Sequence, residues 1–147
     1  MISVRSISPS DYESWCALYS AYAEFYQATQ TKEMRDEVWS WLLNENHEVK
    51  GFIAFNDQDV AVGIAHYRPF YRPLSASVGG FLDDLFVAPS SRGKEIGKKI
   101  IGAVVKVGKE KNWSVIRWIT AENNYRARNT YDKLAAQTKW VTYDIKL

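Results

Sequence analysis

The chain has 147 residues, 46% hydrophobic and 24% charged, with a formal net charge of +2, which is typical of a globular domain and disfavours a broad nucleic-acid-binding surface. Its one cysteine, Cys16, cannot form an internal disulfide and favours a reducing compartment. The N-terminus is too short and polar for a signal peptide, and no apolar run approaches the ~20 residues of a membrane span. We therefore expect a single cytoplasmic domain over residues 1–147 that contacts neither nucleic acid nor membrane.

The N-terminal third predicts a strand and two helices. Residues 2–7 alternate apolar and polar side chains, as a half-buried strand does. The Ser-Pro-Ser-Asp segment at 8–11 carries the start signals of a helix of about 18 residues, in which aromatic residues recur three and four apart. Thr31 is placed to cap a second helix that ends near Asn44.

The middle of the chain predicts a hairpin, a loop and a further strand. Residues 49–55 and 60–67 are two apolar runs separated by the polar turn at 56–59. Two prolines and a Gly-Gly pair between positions 68 and 80 predict a loop. An apolar strand over 81–88 follows that loop and ends before a proline.

The remainder of the chain predicts a crossover between parallel strands. Apolar residues at helical spacing predict a helix from 96 to about 112, and strand patterns cover 114–120 and 140–145. Another helix is predicted over 125–136. The strand–helix–strand connection from 81 to 120 implies at least one right-handed parallel crossover, so we predict an α/β or α+β sheet.

The loop before the helix at 96 is typical of a phosphate-binding turn. The eight residues 92–99 carry four basic side chains against one acidic side chain, a net charge of +3. Gly93 and Gly97 leave backbone N–H groups unobstructed at the positive end of a helix, where an anion can accept several hydrogen bonds. Because lysines in a first helical turn oppose the helix dipole, their presence here favours an anionic ligand.

This strand, loop and helix resemble the GCN5-related N-acetyltransferase (GNAT) family, whose signature Arg-x-x-Gly-x-Gly/Ala surrounds the pyrophosphate of acetyl-CoA. Arg92 and Gly97 match the first and last signature positions, and Glu95 replaces the central glycine. The segment 120–131 resembles the family's next element, in which an Asn ends a strand and a Tyr follows seven residues later on a helix. Two such motifs in the right order are more specific than either alone.

The resemblance implies a GNAT-like fold, with a mixed, mostly antiparallel central sheet flanked by helices and a parallel crossover at the acetyl-CoA cradle. It also implies acetyl-CoA as the co-substrate, held by the cradle, by the strand backbone before it and by an amide contact from Asn124. The expected cofactor-binding residues are Leu85, Phe86, Val87, Arg92, Gly93, Lys94, Glu95, Ile96, Gly97, Lys98, Asn124 and Tyr131. No metal is expected, since neither histidine has a Cys or carboxylate at metal-ligand spacing.

Glu95 leaves two conformations open. With a negative φ, its side chain can point to solvent at little cost, whereas a left-handed backbone costs roughly 1 kcal/mol. In either case its carboxylate lies near the expected pyrophosphate and its backbone N–H is retained.

Acetylation of an amine requires a base, because an alkylamine with a pKa of ~10.4 is almost wholly protonated at neutral pH. Asp83 and Asp84 lie on the strand before the cradle, where neighbouring side chains point to opposite faces. The family pattern implies a carboxylate acting through water. We favour Asp83, and keep Asp84 as the alternative base or as the binder of a cationic substrate; a structural acid pair at the strand end is the other interpretation.

The reaction also requires a proton for the departing CoA thiolate. Tyr131 holds the family's position for this general acid, and a phenol with a pKa of ~10 suits a thiol. A core tyrosine is the alternative interpretation. Aromatic side chains could form the amine pocket by cation–π contact. We therefore expect the substrate to contact Tyr22, Tyr26 and Tyr67 together with Asp83 and Asp84. Core packing or a dimer interface is an equally good explanation for most of the aromatic residues.

These features predict an acetyl-CoA-dependent N-acetyltransferase domain that acts by direct attack of a primary amine on the thioester. The expected acceptor is a small molecule, namely a diamine, polyamine or amino acid, and the expected assembly is a homodimer. Two alternatives stay open at this point. One is a protein lysine or N-terminal acetyltransferase, and the other is a non-catalytic CoA-binding regulatory module, which the substitution at Glu95 favours.

Overall fold

The computed structural model describes residues 1–147, which form five strands, four α-helices and three short 3₁₀ turns. In chain order, the strands and α-helices are β1 (Ser3–Ser6), α1 (Tyr12–Phe25), α2 (Lys32–Leu43), β2 (Lys50–Phe55), β3 (Ala61–Arg72), β4 (Ser77–Val87), α3 (Ile96–Glu110), β5 (Ile116–Arg117) and α4 (Tyr125–Leu134). No helix is both long and apolar enough to cross a membrane.

The strands form one sheet in the order β1-β2-β3-β4-β5. The first four pair antiparallel, and β4 pairs with β5 in parallel through the crossover helix α3. This arrangement confirms the predicted mixed, mostly antiparallel sheet with one parallel crossover. The crossover is required because two parallel neighbours cannot be joined by a tight turn.

Each face of the sheet has its own hydrophobic cluster. On one face, Ile100 and Val104 of α3 are fully buried against the sheet. On the other, Trp15 of α1 is fully buried against Ile53 and Ile64 of the central strands. Alternation along β2 and β3 supplies both clusters, so the sheet is the middle layer between α3 on one side and α1 with α2 on the other.

Two helix starts follow the sequence signals. The Thr31 hydroxyl accepts a hydrogen bond from the Met34 N–H at 3.1 Å and caps α2 as predicted. The first helix is shorter than the expected 18 residues, since residues Pro9–Asp11 form a 3₁₀ turn before α1 begins. Asp11 holds this turn by accepting two hydrogen bonds from Arg5, at 2.7 and 2.8 Å.

The loop predicted between positions 68 and 80 is wrong. β3 continues to Arg72 and β4 begins at Ser77, so the two strands form one long hairpin in which Pro69 lies opposite Gly80. The glycine is needed for packing, because a Cβ at Gly80 would lie 2.4 Å from the Trp113 ring. The loop prediction failed because the sequence does not distinguish a glycine that makes room for a neighbouring ring from a glycine that forms a turn.

The C-terminal predictions are only partly correct. Within the strand predicted over 114–120, just Ile116–Arg117 pairs with β4, and the helix predicted over 125–136 ends at Leu134. The strand predicted over 140–145 is not part of the sheet, and every residue from 136 onward is exposed. The alternating pattern is present, but a strand also needs backbone pairing with a neighbour, and this segment pairs with no other strand.

Candidate active site

A cleft opens in the sheet where β4 and β5 separate. Only the pairs Gly80–Ile116 and Phe81–Arg117 join these strands, so the β4 backbone from Leu82 onward has no partner on its β5 side. The cleft leads to a cavity of about 590 Å³ beside the start of α3. The cavity is lined by Phe25, Tyr26, Leu85, Phe86, Val87, Arg92, Gly93, Glu95, Ile96, Gly97, Lys98, Asn124, Arg126, Ala127, Thr130, Tyr131, Lys133 and Leu134.

Eleven of the twelve residues expected at the cofactor lie on this wall, and their role in binding stays a prediction. Lys94 is the exception, since it is exposed and does not line the cavity. Two basic residues of α4, Arg126 and Lys133, also line the cavity and were not predicted from the sequence. Their charges could have been read from the sequence, but only the packing of α4 across the cleft brings them to the cradle.

The start of α3 has the geometry of an anion site. Lys99 N–H is the first to bond within the helix, to the Glu95 carbonyl at 3.1 Å, which leaves the N–H groups of Ile96, Gly97 and Lys98 without helical partners. A Cβ at Gly97 would lie 3.9 and 4.0 Å from its nearest side-chain neighbours, which is ordinary contact. Packing within the fold therefore tolerates a side chain at Gly97. The glycine instead keeps the space in front of the free N–H groups open for an anion.

Glu95 adopts the left-handed conformation, with φ 59° and ψ 23°, at the N-cap of α3. Of the two conformations left open by the sequence, the structure thus has the one that costs about 1 kcal/mol in a residue with a Cβ. Its side chain is exposed and turns toward Lys98, with Oε1 4.0 Å from Nζ. The signature glycine position therefore keeps its glycine-like backbone although a glutamate occupies it.

Arg92 is anchored at the mouth of the cavity. Its Nε–H donates to the Val87 carbonyl at 3.2 Å, and its guanidinium lies over the rings of Phe25 and Phe86, 5.1 and 5.7 Å from their centroids. These contacts leave the other guanidinium N–H groups available for an anion.

A bulge in β4 decides where the two acids lie. His66 pairs with Asp84 and Tyr67 pairs with Leu82, so Asp83 is an extra residue with no partner on β3. Regular alternation stops at this point, and the expectation that the acids point to opposite faces is wrong. Asp84 accepts a hydrogen bond from Tyr19 of α1. Asp83 pairs with Arg68, which lies two residues after His66 on β3 and therefore on the same face of the sheet. Both carboxylates thus lie on the α1 side.

Asp84 is the centre of a hydrogen-bond network that is buried at His66 and partly buried at Asp84 itself, whose side chain is 21% exposed. Trp15 Nε1 donates to His66 Nε2 at 2.8 Å, so the imidazole proton must be on Nδ1, which donates to Asp84 Oδ2 at 2.8 Å. The Tyr19 hydroxyl donates to the same oxygen at 3.1 Å. Burial raises the pKa of Asp84, but the hydrogen bonds outweigh burial and hold that pKa below its ordinary value. His66 is part of this network rather than a metal ligand, and no signal in the sequence pointed to it.

Asp83 has a different environment. Its carboxylate pairs with Arg68 Nε at 3.0 Å and its side chain is 31% exposed. Burial raises the pKa of Asp83, and the Arg68 guanidinium offsets that rise only in part. A carboxylate with a raised pKa that solvent can reach is better suited to accept a proton than one committed to several donors.

Asp83 and Tyr131 meet at a second, much smaller cavity of about 20 Å³ next to the first. Its wall consists of Tyr22, Tyr26, Leu82, Asp83, Leu85, Trp118, Ile119, Thr120 and Tyr131. Tyr26, Leu85 and Tyr131 line both cavities, so the two spaces adjoin. Burial raises the pKa of Tyr131 to about 12, and its ring packs edge-on against Trp118 at 5.3 Å.

The predicted substrate residues are divided between this cavity and the core. Tyr22 and Tyr26 line the small cavity, whereas Tyr67 lies on the opposite face of the sheet, where it is 6% exposed and stacks on Phe52 at 5.3 Å. Tyr67 is therefore a core residue that lines neither cavity, and its predicted contact with the substrate is wrong. Asp84 lines neither cavity, and its carboxylate instead accepts hydrogen bonds from His66 and Tyr19 beneath α1.

The sequence model of the acetyltransferase (GNAT) family matches residues 15–136. The chain belongs to this family. It is 28% identical to the D-amino-acid N-acetyltransferase HPA3 of Saccharomyces cerevisiae over 97% of this chain and 89% of that protein. A 57-residue segment is 40% identical to the thialysine N-ε-acetyltransferase of Bos taurus, covering 39% of this chain and 34% of that protein.

The fold is also that of solved GNAT structures. The aminoglycoside N-acetyltransferase AAC(6')-Iy, solved in complex with CoA, superimposes with a TM-score of 0.86 over 99% of this chain and 95% of that chain, at 22% identity. Family membership and the named relatives identify this GNAT protein as an N-acetyltransferase.

Proposed function

We propose that this GNAT protein transfers the acetyl group of acetyl-CoA to a primary amine of a small molecule, namely a diamine, a polyamine or an amino acid. The observation that carries the proposal is the pair of adjoining cavities, one at the anion-binding start of α3 and one that brings Asp83 and Tyr131 together. The size and charge of the first suit CoA, and the second is small and aromatic with an acid on its wall.

The residues of the larger cavity fit acetyl-CoA. The free N–H groups of Ile96, Gly97 and Lys98 and the charge of Arg92 suit the pyrophosphate. The unpaired edge of β4 suits the pantetheine arm, which can add to it as a further strand does. Asn124 lines the same cavity and has an amide available to that arm. Bound there, acetyl-CoA supplies the activated acetyl group.

The transfer needs two proton movements that this chain can provide. Asp83, directly or through a water molecule, takes a proton from the ammonium form of the acceptor, and the free amine forms a bond to the acetyl carbon. The C–S bond breaks, and Tyr131 gives its hydroxyl proton to the departing thiolate. Burial favours the protonated phenol of Tyr131 at neutral pH, as a proton donor requires.

A cationic small-molecule acceptor suits the small cavity. Asp83 provides negative charge, and the rings of Tyr22 and Tyr26 can contact an ammonium group by cation–π attraction. The names of the relatives agree with this class, since one acts on D-amino acids and another on thialysine.

The test is an acceptor screen that measures acetyl-CoA-dependent thiol release with the purified protein. Diamines, polyamines and basic amino acids of both configurations form one arm, acidic amino acids and neutral hydroxyl compounds form the second, and a lysine-bearing protein forms the third. We expect the first arm to be preferred. Turnover of the protein substrate with none on free amines would instead establish the protein acetyltransferase alternative.

A further inference from the structure

A row of three side chains crosses the sheet next to Asp83. Phe81 of β4 lies opposite Arg68 of β3 on one side and opposite Arg117 of β5 on the other. Residues directly opposite one another on neighbouring strands project from the same face of a sheet. That face is the α1 side, because Arg68 lies two residues after His66 on β3. The row therefore adjoins, on its own face, the acid that reaches the small cavity.

Arg68 is held in place, but only part of its guanidinium is used. The group lies over the Phe81 ring, with Cζ 4.9 Å from the ring centroid. Its Nε–H donates to the Asp83 carboxylate, 3.0 Å from Oδ2 and 3.3 Å from Oδ1. The terminal nitrogens Nη1 and Nη2 donate to no group of the chain, and the side chain is 40% exposed. Their N–H groups are thus available to a ligand.

The free edge of this guanidinium fits a carboxylate. Its N–H groups form a rigid fork that can bind both oxygens of a carboxylate at once. Asp83, in direct contact with the same guanidinium, provides the opposite charge. The ammonium and carboxylate groups of an α-amino acid are likewise separated by a single carbon. The two pairs of charges can therefore align with opposite signs facing each other.

We propose that the acceptor is an α-amino acid acetylated on its α-amine, and that Arg68 binds its carboxylate while Asp83 holds its ammonium group. This inference rests on the proposed function and narrows the acceptor within it. A small aromatic cavity with Asp83 on its wall receives the amine, and the guanidinium that contacts Asp83 fixes how the amine is presented.

The transfer leaves the α-carboxylate unchanged. Asp83 takes one proton from the α-ammonium group, and the amine nitrogen forms a bond to the acetyl carbon. The C–S bond breaks with its electron pair on sulfur, and Tyr131 protonates that sulfur. The second proton lost by the nitrogen restores the Tyr131 hydroxyl, and Asp83 releases its proton to water. Arg68 is a specificity residue in this scheme, because it orients the substrate and exchanges no proton.

The charges on this face disfavour a diamine or a polyamine. Arg72 and Arg117 project from the same face as Arg68, and neither is paired with a carboxylate. Among the acids, Asp84 is already committed to its hydrogen-bond network, so Asp83 alone meets the substrate. A second ammonium group on the acceptor would face guanidinium groups of like charge, whereas a carboxylate is attracted to them.

The experiment compares substrates that differ only in the carboxylate. Racemic norvaline and butylamine form one pair, and lysine and cadaverine form the other. The wild type should have the higher kcat/KM for the amino acid of each pair, and NMR of the lysine product should show the acetyl group on the α-nitrogen. Arg68→Gln should lower this preference by about 10- to 100-fold, mainly through KM, because it removes a charge-assisted contact to the carboxylate.

Arg117→Gln is the matched control. Arg117 lies in the same row, but its guanidinium lies over Phe70, 5.4 Å from the ring centroid, on the side of Phe81 away from Asp83. This variant should keep the wild-type preference. If Arg68→Gln instead lowered activity equally on both members of each pair, Arg68 would only orient Asp83 and the proposal would be wrong. A wild type that prefers the plain amines would overturn it as well.

A binding measurement separates this inference from the proposed function. Norvaline is titrated calorimetrically into the protein, with and without CoA, so that no acetyl transfer is needed. We expect binding to the wild type and to Arg117→Gln, and about 10- to 100-fold weaker binding to Arg68→Gln. Turnover of plain amines without norvaline binding would refute the inference and retain the proposed function. Arg68-dependent norvaline binding without turnover of any amine would support the carboxylate site and refute the proposed function. Circular dichroism of both variants should match that of the wild type.

Discussion

His66 and Asp84 face each other across β3 and β4, with Nδ1 of the imidazole 2.8 Å from Oδ2 of the carboxylate. Because Trp15 donates to the other ring nitrogen, His66 is fixed as a donor to Asp84. Asp84 is thereby committed as an acceptor beneath α1, and its neighbour Asp83 is the acid that reaches the small cavity. Two adjacent acids of identical chemistry thus have separate roles, which mutation can distinguish.

Asp83→Asn should lower kcat/KM for the amine by about 10²-fold or more, because the variant cannot accept the ammonium proton. Since the pKa of Asp83 is raised, wild-type activity should fall on acidification through a value above the ordinary aspartate pKa, as the base becomes protonated. The variant should lack this acid limb. Steady-state kinetics across a pH series measures both, and a variant with an unchanged acid limb would remove Asp83 from this role.

Asp84→Ala should act on stability. It leaves the buried Nδ1–H of His66 and the Tyr19 hydroxyl without their acceptor, at a cost of about 1–3 kcal/mol in the free energy of unfolding. The lowered pKa of Asp84 means that its charge stabilises the native state above the ordinary pKa, and that this contribution is lost as pH falls through the folded value. Urea unfolding at neutral and acidic pH tests this, and Asp84→Asn, which keeps an acceptor oxygen, is the matched control.

Tyr131→Phe should lower kcat by roughly 10²-fold or more, because it removes the proton donor to the thiolate and retains the ring that packs on Trp118. Acetyl-CoA affinity and thermal stability should change little. Single-turnover kinetics with chemistry rate-limiting is the appropriate measurement. Near-normal turnover under those conditions would make Tyr131 a packing residue and leave water as the donor.

Glu95→Gly should strengthen acetyl-CoA binding. It removes a negative charge beside the anion-binding N–H groups. The loss of repulsion should favour binding by about 1 kcal/mol, which lowers the Kd for acetyl-CoA about fivefold. It also relieves the left-handed strain, so stability should rise by less than about 1 kcal/mol, since the greater freedom of glycine in the unfolded chain offsets part of the gain. Glu95→Gln separates the two effects, because it removes the charge and keeps the Cβ. Calorimetric titration measures the affinity for acetyl-CoA and thermal melts measure the stability. No change in either for Glu95→Gly would contradict both expected effects.

Gly97→Glu should abolish the rise in melting temperature that acetyl-CoA gives the wild type, since bulk and negative charge would occupy the cradle. The matched control is Gly102→Glu in the same helix, where a Cβ meets nothing within 4 Å. That variant should keep the rise in melting temperature with acetyl-CoA.

Gly63→Ala is a second control that tests packing alone. Its Cβ would lie 2.8 Å from Ile100 Cδ1, so this variant should lower stability without the same loss of acetyl-CoA binding. A wild type whose melting temperature does not move at millimolar acetyl-CoA would contradict the cofactor assignment.

The features that could be predicted from the sequence are local ones. The cap at Thr31, the basic glycine-containing turn before α3 and the seven-residue spacing from Asn124 to Tyr131 are each specified within a single turn or helix. Alternation and helical spacing likewise predicted most strands and helices, since both periodicities follow from backbone geometry. For these reasons the family resemblance and the anion cradle could be found before any tertiary contact was known.

The tertiary structure decided what depends on residues far apart in the chain. The bulge at Asp83 is a matter of register between two strands, and the commitment of Asp84 requires Trp15 and Tyr19 from a distant helix. The separation of β4 from β5 likewise depends on pairing that no local pattern encodes. The left-handed backbone of Glu95 belongs here as well, because the strand and the helix on either side of the turn impose a conformation that glutamate by itself disfavours.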